Sequence, residues 1–167
     1  MMDERTWLRH CLATLAYRTA KTVRDAPPGF GGFLLAEPTA MTPARILSHM
    51  GDLMGWALSM ATGRSAWHNS APGEWGAEVE RFFGALAAFD AYLASPAPIE
   101  APAERLFQGP IADALTHLGQ LATRRRLAGS PVRGENYFVA DIAIGRVGLE
   151  QAPPAREHPV VSVQRSE

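Results

Sequence analysis

Clusters of glycine and proline divide this chain into four long stretches, each carrying apolar residues at three-to-four spacing. That is the period of one face of an α-helix, and no stretch of any length alternates every second residue as a half-buried strand would. The breaks between the stretches are firm. Asp25-Ala-Pro-Pro-Gly-Phe-Gly-Gly-Phe33 cannot stay helical, because proline removes a backbone donor and glycine weakens the helix further. Gly63 to Gly73 is a polar link, and Ser95-Pro-Ala-Pro-Ile-Glu-Ala-Pro102 is punctuated by three prolines. Gly129, with Pro131 close behind, is a stop signal for the last long stretch. Four amphipathic helices without strands predict an all-α chain built as a four-helix bundle.

The first helix is expected from about Asp3 to Arg24, with Trp7, Leu8, Cys11, Leu12 and Leu15 as its buried stripe. In the loop that follows, Phe30 and Phe33 are the expected anchors. Thr42 and Pro43 open the second helix as N-cap and first residue, and it runs over Ala44 to Thr62 with Gly63 as its stop. The third spans Glu74 to Ala94 and presents Phe82, Phe83, Leu86, Phe89 and Leu93 on one face. The fourth starts near Pro102 or Ala103, is disturbed at Gly109-Pro110, and reaches Ala128. Asn136 to Leu149 reads as a short fifth helix or coil, and completes a bundle domain over residues 1–149. The proline-rich remainder, 150–167, predicts an extended tail whose Val160-Val161 tacks its end onto the bundle.

With 167 residues the chain can bury one good core, and 47% hydrophobic with 20% charged residues is ordinary for a globular protein rather than a disordered one. A net charge of -1 gives no electrostatic case for binding nucleic acid or an anionic membrane. The one basic run, Arg124-Arg125-Arg126, falls in the last turn of a helix, where cations complement exposed carbonyls. A single cysteine, Cys11, rules out an intramolecular disulfide and fits a reducing compartment. With no signal-peptide profile at the start and no apolar run of about 18 residues, a cytoplasmic location is expected.

The chemistry concentrates on two helices. Asp113 and His117 are four residues apart on the fourth, so their side chains leave the same face one turn apart. Such a pair is often no more than a local hydrogen bond. His49, bordering the apolar stripe of the second helix, supplies a third partner if the two helices face each other. Two imidazoles and a carboxylate suit zinc, nickel, iron(II) or manganese, and three protein ligands leave a coordination position open. Asp52, about one turn beyond His49, is a candidate supporting carboxylate or general base, or else a hydrogen-bonding residue between helices. Trp56, Asn136 and Tyr137 are candidates for lining the mouth of the site.

Two motifs carry a family resemblance: Thr42-Pro-Ala-Arg-Ile-Leu-Ser-His49-Met-Gly-Asp-Leu-Met-Gly-Trp56 in the second helix, and Gln108-Gly-Pro-Ile-Ala-Asp113-Ala-Leu-Thr-His117-Leu-Gly-Gln120 followed by Arg125-Arg126-Leu-Ala-Gly129 in the fourth. With the order of the helices and the long link between the second and third, the chain resembles the DinB/YfiT-like superfamily of bacterial metalloenzymes up to about Leu149. The resemblance implies an up-down-down-up bundle, often a homodimer, with a metal held by one histidine of the second helix and a His-x-x-x-His pair of the fourth. His49 and His117 stand at two of those positions, and Asp113 stands where histidine is usual. It further implies metal-dependent chemistry on a small molecule, an S-transferase or hydrolase reaction in which the metal activates a low-molecular-weight thiol or water. The alternative is a non-catalytic metal- or ligand-binding bundle whose site has degenerated at Asp113.

Overall fold

The computed structural model describes residues 2–36 and 40–159; the expected contact of Val160-Val161 lies outside them. Among the described residues the chain is all-helical. α1 is Glu4–Val23, α2 Pro43–Ala61 and α3 Trp75–Ala94. A short α4, Ala103–Leu106, passes through a π-helical turn, Phe107–Ile111, into α5, Ala112–Leu127. Beyond it the anticipated short helix or coil is one 3₁₀ turn, Tyr137–Val139. Glycines and a proline, at Gly134, Gly145, Gly148 and Pro131, leave no room there for a longer amphipathic run.

Local chemistry sets the helix ends. The Asp3 side chain accepts the Thr6 N–H at 2.8 Å and caps α1. Thr42 accepts the Arg45 N–H at 3.2 Å, with Pro43 just inside α2. Gly63 and Gly129 take φ of +78° and +75°, the left-handed conformation that stops α2 and α5. Pro110 has no N–H to offer within its turn. The backbone there widens, and the Ala112 N–H reaches back five residues to the Phe107 carbonyl. The disturbance expected at Gly109-Pro110 is therefore a bulge inside a continuous helical rod.

α1 and α2 each pack against both α3 and α5. Between them lie Leu8, Leu12 and Leu15 of α1, Ile46, Met50, Leu53 and Ala57 of α2, the five expected apolar residues of α3, and Leu106, Ile111, Ala114, Leu118 and Leu121 of the last rod, all buried. Each large side chain so buried contributes roughly 1.5–3 kcal/mol. Two residues of the expected α1 stripe depart from it. Trp7 is 39% exposed and packs on Phe107 at the π-helical turn, and Cys11 is only half-buried. The stripe continues instead through Ala16, Tyr17, Ala20 and Val23, one ridge further round the helix.

Polar clamps fix the periphery. Arg9 forms a paired bond to Asp90 at 2.9 and 3.0 Å, and Arg5 donates to the carbonyls of Leu93, Ser95 and Ala97 at the end of α3. Arg125, from the basic run, is buried. It donates to the carbonyls of Thr22, Arg24, Asp25 and Ser130, tying the end of α5 to the end of α1. Residues 156–158 return beside 134–136 through the backbone bonds of Asn136 and His158, and Glu135 and Glu157 share Lys21 at 2.6 and 2.8 Å. No helix among the described residues is long and apolar enough to cross a membrane.

Candidate metal centre

α2 and α5 lie side by side, and each turns a histidine to the same place. The π-helical turn at Pro110 ends at Ile111, two residues before Asp113, so the register of α5 toward α2 is set just after that bulge. His49, Asp113 and His117 can each offer one donor atom such that all three atoms lie within 4.8 Å of one another. The sequence therefore named a set that the structure brings together.

The carboxylate stands between the imidazoles. Asp113 Oδ2 is 3.5 Å from His49 Nε2, and Asp113 Oδ1 is 3.1 Å from His117 Nδ1. His117 Nδ1 also lies 2.9 Å from the main-chain carbonyl of Asp113. A carbonyl only accepts, so in the neutral ring Nδ1 carries the hydrogen and Nε2 keeps its lone pair. This is how ligating histidines are usually oriented by their second nitrogen. Bonds of about 2.0–2.2 Å around one ion would set donor atoms roughly 3–3.5 Å apart, and the His49–Asp113 pair already meets that spacing. The donor set thus fits a divalent cation. The side chains of His49, Asp113 and His117 are 24%, 44% and 13% exposed, so one flank is sheltered and the other stays open to an incoming molecule.

Asp52 stands outside this group. It is buried, and both oxygens are engaged: Oδ2 accepts the Ser70 N–H at 2.9 Å, while Oδ1 accepts the Ser70 hydroxyl at 2.7 Å and Arg81 Nη1 at 3.0 Å. Burial alone would raise its pKa, but the bonds from Ser70 and the Arg81 guanidinium outweigh it and hold the carboxyl below its ordinary value. Arg81 also meets Glu78 at 2.9 Å and the Ser48 hydroxyl at 2.9 Å, and Glu78 accepts the Gly73 N–H at 2.7 Å. Of the two readings of Asp52, this geometry is that of a hydrogen-bonding residue between helices.

What the sequence missed is the course of the 63–73 link. Ala66 donates to Ser59 Oγ, Asn69 and Ser70 accept from Arg45, and Ser70 is held by Asp52, so the link runs back along α2 from its end toward its start. That course lays Trp67 edge-on to His49, ring centroids 5.6 Å apart, and 5.7 Å from Trp56. A tryptophan in so polar a link was the available signal. Trp56 accordingly borders the site through Trp67. Asn136 and Tyr137 have other partners: Asn136 pairs with the Arg156 carbonyl, and Tyr137 packs on Tyr17 and beneath Arg18. A cleft of about 430 Å³ at the start of α2 and α3 is walled mainly by residues 26–32 and 72–75 and holds none of the three grouped residues.

Compared with family models, with curated proteins and with solved structures, the chain finds no match.

Proposed function

We propose that the protein is a metal-dependent enzyme of the DinB/YfiT-like type, with a divalent ion held by His49, Asp113 and His117. The observation that carries this reading is the convergence of those three donors, from two helices, within 4.8 Å. The helix directions support the up-down-down-up order the reading requires. Arg5 and Arg9, early in α1, meet the end of α3, and Arg125, late in α5, meets the end of α1. The 63–73 link returns along α2, so α3 starts beside the start of α2, where Arg81 reaches Ser48 and Asp52.

His49 and His117 supply neutral nitrogen donors, and Asp113 supplies one negative charge in place of the usual third histidine. A zinc, nickel, iron(II) or manganese ion there would act as a Lewis acid, lowering the pKa of a water or low-molecular-weight thiol for attack on an electrophilic small molecule. The half-exposed flank of Asp113 leaves the approach for that molecule. Asp52 enters as a positioning residue, fastening the link that carries Trp67. The test is equilibrium dialysis against each of the four ions, followed by thiol consumption with an epoxide. The reading expects one ion per chain and metal-dependent loss of thiol or hydrolysis of the epoxide. Retention of metal with no turnover across a panel of thiols would instead favour the non-catalytic binding protein. By the same resemblance we expect a homodimer, while a net charge of -1 gives no electrostatic case for a nucleic-acid or anionic-membrane partner.

A further inference from the structure

We propose that Trp67 and Trp56 form an aromatic corner beside the metal centre, selecting a ligand that carries a flat aryl group next to its metal-binding atoms. This rests on the metal reading of His49, Asp113 and His117 and adds to it the shape of the molecule received there. The Trp67 ring stands at 69° to the His49 imidazole and at 85° to the Trp56 indole. Two near-perpendicular rings offer an arriving ring one face and one edge, the two arrangements that aromatic pairs prefer.

The corner is held in advance of binding. Trp67 is 46% exposed, although its neighbours are fastened on both sides: Ala66 to Ser59, Asn69 to Arg45, and Ser70 to Asp52. A loop tip free to move could tuck such a ring away. This one is held edge-to-face beside an imidazole with much of its surface in water, so the ordering cost of a receptive wall has been met by the fold. The ligand's metal-binding head would meet the open flank at Asp113, and its aryl group would lie alongside, covering Trp67.

Benzohydroxamic and acetohydroxamic acids share one chelating head and differ in a phenyl against a methyl group. Titrated calorimetrically into the zinc-loaded protein, the phenyl compound should bind about tenfold more tightly. Trp67→Ala should bring the two to near parity, and Trp67→Phe should keep most of the preference, all three proteins holding the same zinc per chain. Equal affinities in the wild type would overturn the aromatic corner and leave the metal reading standing. A preference that survives Trp67→Ala would also overturn it. Loss of zinc from Trp67→Ala alone would show that the ring merely props His49, which is again a refutation. Failure of the wild type to hold zinc or any of the other three ions would remove the metal reading itself, and this inference with it.

Discussion

Two polar clusters share α2 and are three residues apart in sequence, yet they are opposites. Around Asp52 every strong donor has an acceptor: Ser70, Arg81, Glu78, Ser48 and Gly73 are joined in one network, with both carboxylates buried. Around His49 the groups converge without being saturated. Asp113 keeps 44% of its side chain exposed, and a lone pair of each imidazole is free for a further partner when the ring is neutral. A polar cluster with its bonding capacity spent is architecture, because its members can give nothing to a ligand without losing each other. A cluster with capacity left over, held on rigid helices, is where a ligand gains most.

Substitution should separate the two clusters sharply. Replacing Arg81 with leucine leaves the buried Asp52 and Glu78 carboxylates with only their Ser70 and Gly73 donors. Urea unfolding should show about 2–3 kcal/mol lost, less than for a fully buried pair because Arg81 is one-third exposed. A loss under about 1 kcal/mol would mean that the network is not the structural member of the pair. For the other cluster the largest effect requires the ion. Zinc at a hundred times its dissociation constant should stabilise the wild type by about 2.7 kcal/mol, reversed by a chelator and absent in His117→Ala.

Acid should act on the Asp52 network in a defined sense. Its carboxyl is held below the ordinary value of 3.8, so the folded state favours the ionised form. That stabilisation is complete above the unfolded-state pKa and is lost as pH falls through the folded one, below about pH 4. Asp52→Asn should flatten this part of the stability profile. An unchanged acid limb would assign the loss to other carboxylates. The smallest effect is expected from His49→Ala without metal. Half-buried, with only the 3.5 Å approach of Asp113 and the Trp67 ring beside it, it should cost less than about 1 kcal/mol in thermal unfolding. A cost as large as that of Arg81→Leu would abolish the distinction.

How much was legible in advance follows the same division. Helix bounds could be read because caps and stops are local: Thr42, Pro43, Gly63 and Gly129 act within a turn of where they stand. Half of the site could be read because Asp113 and His117 stand four apart on one regular helix. That His49 faces them depends on how α2 packs on α5, which the resemblance implied and helical spacing alone does not fix. The route of the 63–73 link could not, since it depends on Arg45, Asp52 and Arg81 reaching partners far along the chain. Asp52 was ambiguous for the same reason: its donor Arg81 lies on another helix. Trp7 and Cys11 were misplaced by a small rotation of α1, which spacing alone does not fix.

The most direct measurement is elemental analysis of the dialysed protein after incubation with zinc, beside His117→Ala and Asp52→Asn. The expected result is one zinc per chain in the wild type, the same in Asp52→Asn, and essentially none in His117→Ala. Equal zinc in the wild type and His117→Ala would contradict a centre built from His49, Asp113 and His117.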